Sequence, residues 1–300
     1  MINRRPFWLF PIFQIPLLFC GMCLITAALF SLLNFGKPQV AVAIALDLSG
    51  STYDNQFDIN NQNTVLYQEI QAVRAYLQQN NPEILRSPNL VRVFGFGGVV
   101  EPLTKDFTNN SKQVEQELLS TLQTPGLAEA IQPNNTNINL AIETGIEALK
   151  TIPKGCRELI LVTDGRGTVS PTAIRDGIIN QIKINSVVLG GEAVALRDAA
   201  VATRGIYLSG NSNNLSSFFT DNFFTIFNSN LKWIIFWLGL AWIFLMWTLV
   251  LPLDRIVFQG LFQMTMDISG KLAIAQALFW TVVTLSVIWR FFLIPFLSGC

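Results

Sequence analysis

Three short polar segments carry oxygen-bearing side chains, and each stands next to an apolar segment. Asp47, Ser49 and Ser51 form an Asp-x-Ser-x-Ser sequence directly after the run VAVAIAL. Thr136 lies in an Asn-Thr-Asn sequence before a segment with helical spacing, and Asp164 follows the apolar run LILVT. Carboxylates and hydroxyls are hard-oxygen ligands, which suit magnesium or manganese and not metals that prefer sulfur. The chain therefore contains the side chains of a divalent-cation site, provided that the fold brings them together.

Each of these segments also has an ordinary structural interpretation. An Asp-x-Ser-x-Ser sequence often forms a simple turn at the end of a strand, with Gly50 allowing the turn. Asp164 next to Gly165 is equally typical of a turn. The three segments occur together, in this order, within an alternating pattern of strands and helices, and this combination favours the cation site.

Composition excludes several other kinds of chemistry. The 300 residues include no histidine, which rules out Ser-His-Asp and Cys-His catalysis and zinc sites built on imidazole. Cys20 and Cys23 form a lone Cys-x-x-Cys sequence without the two further sulfurs that a zinc site would need nearby. With 20 basic and 20 acidic residues, the chain has no basic excess for binding nucleic acid. No general base, activated nucleophile or phosphate-binding glycine loop is evident, so we expect a binding protein with no catalytic residues, not an enzyme.

The candidate ligands all fall in residues 38–231, a block about the size of one α/β domain. Its first apolar run, 40–46, is typical of a strand buried on both faces of a parallel sheet. Further strands are predicted at 90–96, 99–103, 159–163, 184–189 and 205–208, and helices at 64–79, 114–122, 138–149, 171–181, 193–202 and 215–227. This alternation predicts an α/β fold with a doubly wound, mostly parallel sheet. Ligands of such sheets bind outside the carboxyl ends of the strands, where the candidate residues are expected.

On these motifs the block resembles the von Willebrand factor A-type (VWA) domain. That family's metal-ion-dependent adhesion site (MIDAS) combines Asp-x-Ser-x-Ser with a later threonine and a later aspartate, and all five positions match here. The segment ALRDAAVATRGIYLSG, residues 195–210, resembles the family's late helix-to-strand segment. The resemblance implies a Rossmann-like fold that binds Mg²⁺, or Mn²⁺, and a partner protein that supplies an acidic residue to the metal. The ligands that it implies are Asp47, Ser49, Ser51, Thr136 and Asp164.

Three windows without charged residues carry the apolar excess of the chain, at 6–36, 233–253 and 272–289. A helix needs about 20 apolar residues to cross a bilayer, so we predict three transmembrane helices. The first window has an alternative as a signal peptide, but it is longer than a signal sequence and lacks an Ala-x-Ala cleavage site. The last two have an alternative as a buried helical hairpin, which the tryptophans on every face of 233–253 disfavour.

These windows divide the chain into three parts. Residues 1–37 form an N-terminal anchor, residues 38–231 the VWA-like domain, and residues 232–300 two further spans with a short interfacial loop between them. The domain holds 13 basic and 18 acidic side chains, and the remainder holds 7 basic and 2 acidic ones. The overall neutrality of the chain is therefore the sum of an acidic domain and a basic membrane part.

Basic residues near the span ends predict the orientation in the membrane. One side of a three-span topology has Arg4, Arg5, Arg255 and Lys271, and the other has Lys37, Lys232 and Arg290. Because the side richer in basic residues stays inside, we expect an inside N-terminus and a VWA-like domain on the outer side of the membrane, which for a bacterial protein is the periplasmic side of the inner membrane.

The order of spans and domain resembles bacterial membrane-anchored VWA proteins of the aerotolerance (Bat-like) type, which are often encoded with MoxR-type AAA ATPases. This resemblance implies a membrane-tethered protein that uses its cation in protein–protein interaction or complex assembly, in contact with membrane lipid and with a MoxR-type system. An alternative from another class is an accessory subunit of a membrane transporter or channel, in which the C-terminal spans carry the function.

Overall fold

The structure is a computed structural model that describes residues 6–50, 61, 64–85, 87–153, 155–165 and 167–293. These residues form two units. One comprises residues 37–229 and the other residues 6–36 with 230–293.

A six-stranded sheet organises residues 37–229. Its strands are β1 (Val40–Asp47), β2 (Leu90–Phe96), β3 (Val100–Pro102), β4 (Cys156–Thr163), β5 (Ile182–Leu189) and β6 (Tyr207–Gly210). They lie in the order β3-β2-β1-β4-β5-β6, and all neighbours are parallel except β2 and β3. The predicted α/β class with a doubly wound, mostly parallel sheet is therefore confirmed.

Helices connect the strands and cover both faces of the sheet. They are α2 (Val65–Gln79), α3 (Ser111–Leu122), α4 (Leu127–Ile131), α5 (Ile138–Lys150), α6 (Pro171–Ile179), α7 (Val194–Thr203), α8 (Leu215–Ser217) and α9 (Thr225–Phe227). A π-helical stretch, Phe218–Phe224, joins α8 to α9, so the predicted helix over 215–227 is present with a widened middle. Helix α4 was not predicted from the sequence.

The two faces of β1 differ in side-chain size, and this difference decides how closely the helices pack. All eight residues of β1 are buried. Valine, isoleucine and leucine point to the face covered by α2, α3 and the 215–227 helices, whereas the alanines point to the face covered by α5. On that second face Gly145 of α5 approaches the sheet so closely that a Cβ would lie 2.5 Å from the Leu159 side chain.

The second unit contains the three helices that are long and apolar enough to cross a membrane, at Pro11–Leu32, Leu231–Leu261 and Met266–Phe291. The first is α1 (Pro11–Leu32), preceded by a 3₁₀ turn at Phe7–Leu9. The second runs through α10 (Leu231–Thr248), α11 (Val250–Pro252) and a π-helical stretch at Leu253–Leu261, and the third is α12 (Met266–Leu293). The first part of the predicted interfacial loop between the last two spans, Leu253–Leu261, is thus helical and continuous with the second span.

Small and aromatic residues hold these helices together. Cys20 and Cys23 of α1 are free thiols that pack against Ala241 of α10. The ring of Trp242 meets that of Trp280 edge to face, with 5.7 Å between the centroids. Polar groups within the unit also pair with one another, as the Ser269 hydroxyl does with Asp254 at 2.5 Å. Close helix packing at small residues is typical of helices in lipid.

Candidate metal centre

The candidate ligands lie where the strand order of the sheet reverses. β1 and β4 are neighbours at the middle of the sheet, and the chain builds one half outward from β1 and the other outward from β4. In doubly wound sheets, such a switch point opens a crevice at the carboxyl ends of the strands. Asp47 is the last residue of β1, and Asp164 directly follows the last residue of β4. The topology therefore brings the two aspartates to one end of the crevice.

Asp47 is held by donors from both strand ends. Its Oδ1 accepts a hydrogen bond from the Ser49 N–H at 3.0 Å, and its Oδ2 accepts one from the Thr163 hydroxyl at 2.5 Å. The Thr163 oxygen in turn accepts from the Gly165 N–H at 2.9 Å. These bonds fix the direction of the carboxylate and tie the turn after β1 to the turn after β4.

Burial raises the pKa of the Asp47 carboxyl above its ordinary value, and the negative charge of Asp164 raises it further. Hydrogen bonds from Ser49 and Thr163 act in the opposite direction, because they stabilise the ionised form. Asp47 is 0% exposed and Ser49 is 2% exposed, so their oxygens have little access to solvent. A positive charge next to these groups would offset the cost of their burial.

The loop before α5 carries Thr136 to the same edge. Gly50 donates its N–H to the Pro133 carbonyl at 2.7 Å, and this bond joins the turn after β1 to the loop. On the other side, the Thr136 methyl carbon lies 3.5 Å from the place that a Cβ on Gly165 would occupy. Asn137 begins α5 by accepting the Leu140 N–H on its side-chain oxygen at 3.0 Å. Thr136 therefore stands between the two strand-end turns.

Two glycines after β2, Gly97 and Gly98, contact the backbone of this loop. Gly98 donates its N–H to the Gln132 carbonyl at 3.0 Å, and the Gly97 carbonyl accepts the Asn137 N–H at 2.7 Å. A Cβ on Gly98 would lie 3.1 Å from the Gln132 carbonyl oxygen, and one on Gly97 would lie 3.0 Å from the Ile131 carbonyl oxygen. A side chain at either position would press against the backbone of the loop that carries Thr136.

Of the five predicted ligands, the structure brings four to this edge: Asp47, Ser49, Thr136 and Asp164. Ser51 lies outside the described residues. Asp47 and Ser49 form the buried part of the cluster. Asp164 is half-buried and Thr136 is exposed, so the cluster is open to solvent on their side. Among the described residues, no three His, Cys, Asp or Glu side chains are grouped to hold a metal, so a site here depends on its hydroxyls.

The structure adds two residues that the sequence reasoning did not assign to the site. Thr163 is the hydroxyl donor to Asp47, and it stands directly before a predicted ligand. Glu69 of α2 is 0% exposed, and within the described part of the chain neither of its carboxyl oxygens has a hydrogen-bond partner. The burial of Glu69 could have been predicted from its spacing, because it shares a helical stripe with the apolar residues Leu66 and Val73.

Burial raises the pKa of Glu69 well above its ordinary value, and the charges of Asp47 and Asp164 raise it further. These are the two aspartates of the candidate centre. Glu69 therefore belongs to the same electrostatic environment, although it comes from a helix that contributes no predicted ligand.

No known protein family matches the sequence pattern of this chain, and no curated protein matches it either. Solved structures with a similar arrangement include an aerotolerance-related membrane protein from Bacteroides fragilis and the conserved hypothetical protein BatB from Bacteroides thetaiotaomicron. Each is 18% identical to this chain, with 61% of this chain and 96% of the other covered and a TM-score of 0.46. The PilB minor pilin from Streptococcus sanguinis is 16% identical, with 62% and 61% covered and a TM-score of 0.44. Because these TM-scores are below 0.5, the fold class rests on the strand order of this chain.

Proposed function

We propose that this protein is a membrane-tethered VWA-type interaction module that binds Mg²⁺ through a MIDAS-like centre and uses it to hold a partner protein. The observation that carries the proposal is the convergence of three separate segments at one sheet edge. The turn after β1, the loop before α5 and the turn after β4 are joined there by the Gly50–Pro133 and Thr163–Asp47 hydrogen bonds.

The donor set suits a hard divalent cation. Asp47 and Asp164 supply two carboxylates, while Ser49, Thr136 and Ser51 supply neutral hydroxyls. Mg²⁺ prefers oxygen ligands and keeps part of its hydration shell, so a site with few charged ligands and one open side suits it. Mn²⁺ shares this preference and is the second candidate. When bound, the cation supplies a Lewis-acidic position that an additional carboxylate can occupy.

The open side of the centre supports a partner role more than a structural one. Thr136 is exposed and Asp164 is half-buried, so a partner side chain could reach the cation from this side. A cation held by two carboxylates and neutral hydroxyls retains positive character, which favours an acidic residue of the partner. Specificity would then come from the loops around the centre.

The membrane part supports tethering. Three helices are long and apolar enough to cross a membrane. From the basic residues at their ends we propose an inside N-terminus and a periplasmic VWA-type domain in a bacterial inner membrane. Protease added to intact cells without their outer membrane should then cleave within 37–229. Cleavage only after permeabilising the inner membrane would reverse this topology.

The decisive experiment measures the binding of both the cation and the partner protein. The full chain in detergent should bind Mg²⁺ by calorimetry and should capture a partner from a membrane extract in Mg²⁺ but not in EDTA. Thr136→Ala should lose both activities while amide-exchange protection of β1 and β4 is retained. Thr124→Ala is the matched control, because Thr124 is an exposed threonine outside the predicted ligands and its hydroxyl bonds the Ser120 carbonyl of α3.

Capture that is unchanged by EDTA and by Thr136→Ala would contradict the proposal. It would favour the accessory-subunit function, in which the C-terminal spans make the contacts. A partner captured in Mg²⁺ is then identified by mass spectrometry, which also tests for an AAA ATPase of the MoxR type. Its acidic residues at the contact are the next ones to substitute.

A further inference from the structure

Glu69 lies at the end of α2 that is nearest to the candidate centre. The other end of α2 is fixed at the amino edge of the sheet, where the Asn80 side chain bonds the backbone of Asn89 just before β2. Since α2 returns the chain from the carboxyl end of β1 to the start of β2, its first turns stand at the carboxyl edge. Glu69 is in the second turn, on the buried face.

The environment of Glu69 provides hydrogen bonds for neither the ionised nor the neutral form of its carboxyl group. An ionised carboxylate buried without donors is among the most costly arrangements in a protein interior. A neutral acid would still need an acceptor for its proton, and the residues that the structure describes provide no hydrogen-bond partner to either oxygen. A buried group of this kind in a native structure is explained by stored strain, by a functional role, or by a water or ion bound next to it.

Among the described residues, the charges that raise the pKa of Glu69 are those of Asp47 and Asp164, and both are negative. They act in the same direction as burial, so the two aspartates disfavour the ionisation of Glu69. The nearby basic residue of α2, Arg74, is paired with Glu115 of α3 at 2.6 Å. A divalent cation between the aspartates would offset their negative charge at Glu69.

We propose that Glu69 is a further residue of this centre, a buried carboxylate that strengthens cation binding through its charge without being one of the MIDAS-type ligands. This inference rests on the proposed cation site. It assigns Glu69 a positioning role, because its charge acts on the cation held by Asp47 and its neighbours. The unfavourable effect of the two aspartates on Glu69 is the feature that a divalent cation would relieve.

The test compares a charge-removing variant with a matched control. Mg²⁺ and Mn²⁺ binding to the full chain in detergent is measured by calorimetry, with free Mn²⁺ counted by electron paramagnetic resonance. Glu69→Gln keeps the shape and removes the charge, so we expect affinity to fall about tenfold or more, which is about 1.4 kcal/mol. Glu158→Gln is the control, because Glu158 is equally buried but bonds Asn185 and Lys183 on the neighbouring strand.

Glu158→Gln should bind the cation as the wild type does, whatever it does to stability. Wild-type affinity in Glu69→Gln would overturn the inference and leave Glu69 a neutral core residue. Absence of cation binding in the wild type would instead overturn the proposed cation site. If Glu69→Gln lost the exchange protection of β1 and β4, the pair Glu69→Asp and Glu69→Asn would decide, because they differ only in charge. Equal affinities in that pair would also overturn the inference.

Discussion

Asp47→Asn should separate cation binding from folding. Asparagine has nearly the shape of aspartate and keeps an oxygen to accept the Ser49 N–H, while the Thr163 hydroxyl can rotate to accept from the new amide. The substitution also removes a buried carboxylate whose charge is unfavourable to Glu69. We therefore expect the free energy of unfolding without a cation to stay within about 1 kcal/mol of wild type. Stabilisation by Mg²⁺ should disappear.

The size of the lost effect follows from mass action. A cation that binds only the folded state at 100 times its Kd stabilises that state by about 2.7 kcal/mol. For a unit of about 190 residues this corresponds to about 5–10 °C in Tm. The wild type should show such a shift between EDTA and saturating Mg²⁺, and Asp47→Asn should show none.

The assay must report on residues 37–229 alone. All seven tryptophans of the chain lie outside this range, so intrinsic tryptophan fluorescence follows the membrane unit. Exchange of the β1 and β4 amides with temperature, read by mass spectrometry, follows the unit with the centre. Equal Mg²⁺ shifts in the wild type and in Asp47→Asn would refute the reasoning, as would a wild type that Mg²⁺ does not stabilise.

Three further substitutions test other parts of the structure. Thr163→Val removes the donor to Asp47 and leaves the Gly165 N–H without its acceptor, so chemical denaturation should show a loss of about 1–3 kcal/mol that Thr163→Ser largely restores. Gly98→Ala should weaken Mg²⁺ binding several-fold in calorimetry by displacing the Thr136 loop, whereas wild-type affinity would show that the loop yields freely. Burial raises the pKa of Glu158 above its usual 4.5, so the folded state holds a proton that the unfolded chain has lost, and the free energy of unfolding should fall as pH rises above that value. Glu158→Gln should flatten this slope by up to about 1.4 kcal/mol per pH unit in a denaturation series, and an unchanged slope would assign it to another group.

Local sequence patterns predicted most elements of residues 37–229, and the errors include a strand whose start is hidden by buried charges and a helix that is very short. β4 begins at Cys156 and not at residue 159, because Arg157 and Glu158 are buried in the strand despite their charge. Arg157 is accommodated by the carbonyl oxygens of Leu149 and Ile152, and Glu158 by Asn185. Helix α4 is only five residues long, which is too short to show a helical period.

Some residues of the candidate site could also be predicted from local patterns, and others could not. Asp47, Ser49, Thr136 and Asp164 could be proposed from motifs, because each stands at a predictable end of a strand or start of a helix. Thr163 and Glu69 could not, because their roles depend on contacts and charges across elements that are far apart in the sequence. The role of Ser51 as a ligand stays a prediction.

By itself, the sequence determined the kinds of elements and the available chemistry. Runs such as VAVAIAL and the charge-free windows define buried strands and membrane-length helices through hydrophobic periodicity, and the absence of histidine restricts metal chemistry to oxygen or sulfur. The tertiary structure alone decided that β1 and β4 are neighbours, so that residues 47 and 164 meet at one edge. It also decided that Glu69 is buried within the influence of those aspartates and has no hydrogen-bond partner among the described residues. The reason is physical: periodicity is a local property of the chain, whereas strand order, burial and the field at a buried charge arise only when distant segments pack together.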